Sequence, residues 1–361
     1  MKGVAQRMPE GVKAYLRPLA RKKKFPDFLI IGAQKAGTTW LHRNLQAHPR
    51  VWMPKEKELH YFDEKLGAKT SLRSKLWGNR AMDERWRRQV RRQIGRYSKF
   101  SAPDIAWDMR YFLGSWNDAW YASLFNQGHG KTVGETTPDY SVLGRKQIAH
   151  VREIMPEAKI IFLMRNPVER AWSQSLMDVR ERNLEDVTDE EFYRHFEGKR
   201  SRLFTDYLRT LENWGSHFDQ NQIFVGFLED IHFYPNRLLR NVYRFLGVDP
   251  STDYKVIRRK IHSRDVETMP TRLAVRLAEA YLQDTKRLEE RFGGYASFWR
   301  YAAQRLVEDP PEGERIAYPL WESPLWDDWV KESGRSPAPG SREAKPQSGT
   351  LSSVQSMSKS E

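Results

Sequence analysis

Residues 27–40 read Asp-Phe-Leu-Ile-Ile-Gly-Ala-Gln-Lys-Ala-Gly-Thr-Thr-Trp, and this stretch decides the fold. Its short apolar run does not alternate with polar residues and ends at Gly32, which is typical of a buried parallel strand. Glycine at 32 and 37 lets the backbone turn tightly. A helix from Thr38 to about Ala47 would then point its first N–H groups at an anion. The stretch therefore predicts a strand, a phosphate-binding loop and a helix.

The loop differs from the Walker A loop of ATP- and GTP-binding proteins, which ends in Gly-Lys-Ser or Gly-Lys-Thr. Thr38 stands where the Walker lysine would be, and Lys35 lies three residues earlier, inside the loop. We therefore expect a loop that holds a phosphate group while its cation is directed at a different atom. An ordinary glycine-containing strand–helix turn is the alternative interpretation.

Outside this stretch, strands alternate with helical patterns. Further strands are predicted over residues 50–53, 132–135, 159–164 and 222–228, and helices include Asp206–Phe218 and Pro235–Leu246. Such alternation indicates a parallel sheet with helices on both faces. The predicted fold is α/β, a three-layer P-loop-like architecture with a central parallel sheet flanked by helices.

A second candidate site begins where the strand 159–164 ends. Arg165 would lie at the carboxyl edge of the sheet, where the ligands of open α/β sheets bind. Asn166 can cap the next helix, Pro167 suits its first position, and Ser173 follows about two turns along. Together with the first loop, this segment predicts a cofactor that carries two phosphate groups.

These motifs resemble those of sulfotransferases, which use 3′-phosphoadenosine 5′-phosphosulfate (PAPS). The loop Gly32–Trp40 resembles the family's 5′-phosphosulfate loop, and the segment Arg165–Ser173 resembles its 3′-phosphate site. Phe245-Leu246-Gly247, at the end of a helix, adds to the likeness. The resemblance covers roughly residues 26–300, with an insertion at about 65–105 as its main interruption.

Residues 56–63, Glu-Lys-Glu-Leu-His-Tyr-Phe-Asp, resemble the Glu-x-His-aromatic-Phe segment of the heparan-sulfate-type and related bacterial branch. In that branch the glutamate is the catalytic base, and the match falls on Glu58. A carboxylate can remove the proton of an acceptor O–H or N–H group. His60 is the alternative base, because the cytosolic branch uses a histidine. A solvated run of Lys and Glu is the alternative without a function.

The resemblance implies direct in-line transfer of the sulfuryl group. Lys35 would stabilise the charge that grows on the bridging oxygen, while Arg165 and Ser173 would fix the 3′-phosphate. Trp40 would stack on the adenine, or else be a core aromatic. The cofactor-binding residues implied in this way are Lys35, Ala36, Gly37, Thr38, Thr39, Trp40, Arg165, Ser173, Lys260 and Arg264, the last two from a basic loop over the cofactor.

One further match departs from the family pattern. Glu135-Thr136-Thr137-Pro138-Asp139-Tyr140 resembles the Glu-Lys-Thr-Pro-x-Tyr stretch of the heparan-type enzymes. Thr136 stands where those enzymes often carry a lysine. Lys57 or another basic group would have to supply the second cation.

The net charge of +14 is concentrated in two segments. Residues 1–24 carry +7 and residues 65–99 carry +10, so the rest of the chain is close to neutral. A helix is predicted over residues 82–96, with an apolar stripe formed by Trp86, Val90 and Ile94. Its other faces carry Arg87, Arg88, Arg91 and Arg92. The arginines form either a solvated surface or an anion-binding face.

The composition of the chain excludes several classes of protein and of functional site. The chain has no cysteine, which excludes a disulfide scaffold, a thiolate zinc site and a cysteine nucleophile. The nine histidines show no metal-ligand spacing, so we expect no metal site. No apolar run approaches the ~20 residues of a membrane span, and the basic start has no apolar stretch of signal-peptide length. A cytoplasmic location is the expectation.

We predict a basic lead-in over residues 1–25, a sulfotransferase domain over 26–332 and a disordered tail over 333–361. The acceptor is expected to be a carbohydrate, because aromatic and arginine residues crowd residues 65–130, or else a glycolipid or small alcohol. Peripheral contact with an anionic membrane through the basic segments is a further expectation, whereas specific nucleic-acid binding is not. The alternatives are an ATP-using P-loop kinase and a non-catalytic polyanion-binding module.

Overall fold

The apolar run after Asp27 forms the middle strand of a parallel sheet. Strand β1 (Phe28–Gly32) pairs with β3 (Thr132–Thr136) on one side and with β4 (Lys159–Met164) on the other. Strand β2 (Val51–Trp52) lies outside β3, and β5 (Ile223–Phe227) lies outside β4. The order is β2-β3-β1-β4-β5, and every pairing is parallel. The predicted three-layer α/β fold is confirmed.

The computed structural model describes residues 24–63, 76–79, 81–94, 102–114, 116–179, 186–251 and 267–334. Several predictions made from the sequence lie outside these residues. They concern residues 1–23 of the lead-in, the parts of the insertion at 64–75 and 95–101, the cofactor-loop residues Lys260 and Arg264, and residues 335–361 of the tail. The side chains of Arg92 and Ile94 lie outside the description as well.

Helices connect and cover the strands. In chain order they are α1 (Thr38–Gln46), α2 (Ala81–Ile94), α3 (Ala102–Leu113), α4 (Asp118–Ser123), α5 (Arg145–Ile154), α6 (Pro167–Asp178), α7 (Asp189–Glu197), α8 (Lys199–Thr205), α9 (Tyr207–Gly215), α10 (Leu228–Phe233), α11 (Pro235–Leu246), α12 (Thr271–Phe292), α13 (Tyr295–Glu308) and α14 (Pro324–Ser333). Single 3-10 turns occur at Asn126–Gly128, Pro138–Val142, Gln220–Gln222 and Leu320–Glu322. Strands β6 (Thr268–Pro270) and β7 (Arg315–Ala317) form a small antiparallel pair.

Three predicted elements were too wide. The strand expected over 50–53 is the two-residue β2, and polar residues mark the observed starts of the other two elements. The helix expected over 206–218 is α9, because the Asp206 side chain accepts a hydrogen bond from the Arg209 N–H and caps the helix one residue later. The strand expected over 222–228 is the shorter β5. The Asp219 N–H donates to the side chain of Gln222 at 3.3 Å, closing a turn before the strand begins.

The core extends from the sheet to the end of the described chain. All five residues of β1 are buried, as are all five of β5. Trp321, Trp326 and Trp329 are 7–9% exposed and belong to the same hydrophobic cluster, so they close this end of the core. Trp326 packs edge-on against Phe298 of α13, with 4.7 Å between ring centroids.

None of the helices in the described ranges is both long enough and apolar enough to cross a membrane.

Candidate active site

The predicted phosphate loop lies between β1 and α1. The Ala33 N–H donates to the Leu163 carbonyl at 2.6 Å, which anchors the loop to β4. Gly37 has φ +86° at the N-cap of α1, and a Cβ there would lie 2.4 Å from Ile231 Cδ1. No side chain caps this helix. The N–H groups of its first turn, which have no acceptor within the helix, therefore remain available to an anion.

Lys35 lies in this loop with a left-handed backbone at φ +70°. Burial, together with the charge of Arg165, lowers the pKa of its ammonium group to about 8. Lys57 acts in the same direction, so the loop and the segment 56–63 lie close enough for their charges to interact. Lys35 is thus a cation in a confined position that an anionic ligand would stabilise.

Arg165 lies at the carboxyl end of β4, as predicted. Its guanidinium group already donates hydrogen bonds to other groups of the protein. Nε and Nη2 donate to the Glu169 Oε2 atom at 3.1 and 3.0 Å, Nη1 donates to the Lys35 carbonyl at 3.2 Å, and Nη2 also donates to the Tyr318 hydroxyl at 2.6 Å. Arginine has five N–H donors. Four of them are used in these contacts, so one N–H of Nη1 remains for a ligand. The two-donor contact that arginine could make to a phosphate is made to the Glu169 carboxylate instead.

Tyr318 is a site residue that the sequence analysis missed. Its hydroxyl hydrogen-bonds with Ser173 as well as with Arg165, and its ring lies under the guanidinium group, 5.3 Å from the centroid. Ser173 is half-buried in the second turn of α6. Arg165 and Ser173 are therefore connected through a tyrosine 153 positions after the arginine, and no local sequence pattern indicates this residue.

The segment 56–63 follows β2 and turns back beneath the carboxyl end of β3. The Glu58 N–H donates to the Thr136 carbonyl at 2.9 Å. The Glu58 carboxylate lies 2.5 Å from Lys57 Nζ and 3.8 Å from His60 Nε2. His60 Nδ1 lies 2.6 Å from Asp63 Oδ2. Since a carboxylate accepts, this contact places the proton on Nδ1 in neutral His60 and leaves Nε2 facing Glu58.

Backbone strain coincides with the predicted chemistry. Within the described residues, the non-glycine positions with positive φ are Lys35, Glu58 and His60, at +70°, +67° and +57°. The left-handed region costs an ordinary L-residue roughly 1–2 kcal/mol. Such strain persists where the surroundings enforce it, and it concentrates at functional sites. Among the described non-glycine residues, the three candidate catalytic residues are therefore the ones that adopt this strained backbone conformation.

At the carboxyl end of β3, next to Glu58, Thr136 stands in place of the missing lysine and contacts a histidine of α1. Thr136 is fully buried, and its hydroxyl lies 3.0 Å from Nδ1 of His42 on α1. Burial lowers the pKa of His42 to about 4, so this ring is neutral near pH 7. Lys57 contacts the Glu58 carboxylate, and its role as the second catalytic cation stays a prediction.

Behind this segment lies a buried carboxyl network. Glu135 is fully buried and accepts hydrogen bonds from the hydroxyls of Thr137 and Tyr140, both at 2.8 Å, and from Tyr121. Burial raises its pKa to about 7. The Tyr140 hydroxyl in turn accepts the N–H of Tyr61 at 3.0 Å. The network thus fixes the backbone that carries Glu58 and His60.

The other predicted cofactor residues differ in exposure. Thr38 is buried and Thr39 is half-buried. Trp40 is 5% exposed and belongs to the hydrophobic core, which supports the core-aromatic interpretation over adenine stacking. Trp107, Trp120 and Tyr121 of the aromatic-rich region are likewise in the core, so these rings do not form a surface for sugar stacking.

One group of side chains in the described residues has the composition of a metal site. Ligand atoms of His60, Asp63 and Asp139 lie within 4.8 Å of one another. The sequence spacing gave no sign of it, because Asp139 comes from a different element. His60 and Asp63 are paired with each other, and Asp139 is paired with Arg200. The donors therefore already have protein partners, and the absence of a metal remains a prediction.

Comparison with known proteins gives consistent matches. The family model described as Sulfotransferase family matches residues 26–253. The membrane-associated sulfotransferase kil1 of Dictyostelium discoideum is 29% identical over 149 residues, which are 41% of this chain and 22% of that protein. The chain thus matches about a fifth of the length of this relative.

Solved structures with a similar fold include a sulfotransferase from Alicyclobacillus acidocaldarius, at 24% identity and a TM-score of 0.48, covering 76% of this chain and 99% of that one. The sulfotransferase domain of the Synechococcus PCC 7002 olefin synthase is 18% identical, with a TM-score of 0.45, covering 73% and 96%.

Proposed function

The chain belongs to the sulfotransferase family, and from this premise we propose that it transfers the sulfuryl group of PAPS to a hydroxyl or amine acceptor. The observation that carries the proposal is the coincidence of Lys35, Glu58 and His60 with the positive-φ backbone positions. Constrained backbone at three residues of suitable chemistry is typical of a preorganised active site.

The donor is held by the loop and by α6. The N–H groups at the start of α1 and the hydroxyls of Thr38 and Thr39 bind the 5′-phosphosulfate. The remaining N–H of Arg165 and the hydroxyls of Ser173 and Tyr318 bind the 3′-phosphate. The hydrogen bond from Arg165 to the Lys35 carbonyl supports this assignment, because it couples the two phosphate positions directly.

Transfer proceeds by in-line displacement. The acceptor oxygen or nitrogen bonds to sulfur while the bond from sulfur to the bridging phosphate oxygen breaks. Glu58 takes the acceptor proton, and Lys35 stabilises the negative charge on the departing phosphate. Glu58 is 36% exposed in its side chain, whereas His60 is 10% exposed, so the carboxylate is the more accessible of the two candidate bases.

We assign a carbohydrate or glycolipid as the acceptor. The support is a pair of carboxylates: Glu58 is 36% exposed, and the Asp63 Oδ1 atom has no hydrogen-bond partner among the described residues, so both can accept from sugar hydroxyls. Because the aromatic rings of this region are largely in the core, recognition depends on these polar groups.

Radiolabelled PAPS incubated with the full chain and a panel of polysaccharides, glycolipids and small alcohols tests the proposal. We expect label on a carbohydrate-containing acceptor and none from γ-labelled ATP. Calorimetry with 3′,5′-phosphoadenosine should show binding that Lys35→Ala weakens. Absence of nucleotide binding by the wild-type chain, or transfer from ATP, would refute the proposal.

A further inference from the structure

The basic insertion presents an apolar patch to solvent. In the described part of the chain, the exposed large apolar side chains are Leu76, Trp77 and Leu113, at 41%, 74% and 56% exposure. All three belong to the insertion or its flank, although Leu113 comes 37 positions after Leu76 in the sequence. A tryptophan exposed to this extent contrasts with Trp40, Trp107 and the other large aromatics of the core.

Helix α2 holds the parts of this patch together. Arg87 donates from Nη1 to the carbonyl of Gly78 at 2.7 Å, which fixes the Leu76–Gly78 segment against the helix. Trp86, the preceding residue, donates from Nε1 to the carbonyl of Phe112 at 3.2 Å, next to Leu113. The Leu76–Gly78 segment and the end of α3 are therefore both attached to the same turn of α2.

The outer face of α2 supplies positive charge. Trp86 and Val90 pack against the hydrophobic core, so the apolar stripe of the helix faces inward. Arg88 and Arg91 are exposed, with Glu84 as an exposed acid on the same helix. Residues 65–99 carry twelve basic and two acidic residues. The helix thus places a cationic face beside exposed Leu and Trp side chains.

We propose that this face docks peripherally on an anionic lipid bilayer. Trp and Leu side chains favour the boundary between headgroups and hydrocarbon, and neighbouring arginines favour anionic headgroups. A polysaccharide or nucleic acid would match the arginines but would leave Leu76 and Leu113 exposed to water. The surface goes beyond the transfer reaction, since it requires neither donor nor acceptor.

Flotation of the full chain with vesicles tests the surface. Vesicles of phosphatidylcholine alone are compared with vesicles that contain phosphatidylglycerol at about one lipid in four, near the anionic content that gives a negative surface potential. We expect binding to the anionic vesicles that salt weakens. Each arginine near such a surface contributes about five-fold in partition, so Arg88→Gln with Arg91→Gln should weaken binding about 25-fold.

The chain offers a matched control for this variant. Arg240 and Arg244 are exposed on α11 and lie four residues apart. Arg240→Gln with Arg244→Gln removes the same charge and should leave flotation unchanged. Trp77→Ala should reduce binding to anionic vesicles without changing thermal unfolding, because the side chain is 74% exposed.

Three results would overturn the proposal. They are failure of the wild-type chain to float with anionic vesicles, an equal loss in the control pair, and unchanged vesicle binding in Trp77→Ala. Retention on immobilised heparin that is lost in Trp77→Ala, with vesicle binding intact, would assign the face to a polyanionic polysaccharide instead. Light scattering that shows dimers dissociated by Trp77→Ala would assign it to a second copy of the chain. Because flotation needs no catalysis, its failure leaves the proposed transferase activity unaffected.

Discussion

Arg165 donates a hydrogen bond from Nη1 to the backbone carbonyl of Lys35, with 3.2 Å between the two atoms. The same guanidinium group is paired with Glu169, whose other carboxylate oxygen accepts the N–H of Leu320 at 2.8 Å. A single arginine therefore connects the phosphate loop, α6 and the C-terminal segment. We infer that it sets the spacing between the two phosphate positions.

Arg165→Lys should destabilise the fold and weaken nucleotide binding. A lysine keeps the charge but cannot bond Glu169, Tyr318 and the Lys35 carbonyl together, so a buried carboxylate loses its matched partner. We expect a loss of about 2–4 kcal/mol in the free energy of unfolding, measured by urea titration. Arg145→Lys is the control, since its ion pair with Glu212 is 61% and 71% exposed and should contribute within about 0.5 kcal/mol. Equal stability of the two variants would contradict the inference.

Tyr318→Phe should weaken binding of a nucleotide with a 3′-phosphate. The change removes one hydroxyl that contacts both Arg165 and Ser173 while keeping the ring. A loss of about 1 kcal/mol, or roughly five-fold in Kd, is expected for 3′,5′-phosphoadenosine. Adenosine 5′-phosphate, which lacks the 3′-phosphate, should bind the variant and the wild type equally. Tyr301→Phe, which removes a hydroxyl bonded to Glu332, serves as the control.

The sequence predicted the sheet and the two phosphate motifs because these depend on local signals. A buried apolar run, its glycines and a capped helix can all be predicted from about a dozen neighbouring residues. The hydrogen bonds that occupy the Arg165 guanidinium group could not be predicted from the sequence, since Tyr318 is far away along the chain. The positive φ angles of Glu58 and His60 could not be predicted either, because Glu and His residues ordinarily adopt negative φ angles.

The acidity of Lys35 should limit activity at alkaline pH. Burial lowers its pKa from 10.5 to about 8, so the ammonium group is charged at pH 7 and loses its proton as the pH rises through 8. In a plot of kcat/KM against pH, which reports groups of the free enzyme, we expect a decline of about ten-fold per pH unit above 8. Lys35→Arg should abolish this decline at reduced overall activity, because arginine stays protonated. A decline that persists in Lys35→Arg would assign it to another group.

The choice between two bases can be made with single substitutions. Glu58→Gln preserves the side-chain size and removes the carboxylate, so transfer should fall by about 10²- to 10⁴-fold with unchanged nucleotide binding. Glu56→Gln, two positions earlier in the segment, should remain active. His60→Gln is expected to retain partial activity, because the histidine ring lies 3.8 Å from the Glu58 carboxylate and influences transfer only through that base. An active Glu58→Gln variant together with an inactive His60→Gln variant would instead assign the base to His60.

The core carboxyl Glu229 should make stability fall as the pH rises. Its side chain is fully buried, Oε1 accepts the Trp299 Nε1–H at 2.5 Å, and Oε2 has no hydrogen-bond partner among the described residues. Burial, with the nearby charge of Glu169, raises its pKa from 4.5 to about 8.

The folded state therefore holds this proton where the unfolded state releases it. The contribution to stability is complete below pH 4.5 and is lost as the pH rises towards 8, at about 1.4 kcal/mol per pH unit. Urea unfolding at several pH values should show this contribution as a difference between two slopes. Glu229→Gln, which cannot ionise, should lose less stability than the wild type with rising pH, by about 1.4 kcal/mol per unit between pH 4.5 and 8, while Glu135 keeps its own contribution. Glu212→Gln, at a site 71% exposed, should keep the slope of the wild type. If Glu229→Gln and the wild type shared one slope, the buried carboxyl would not be the group that titrates.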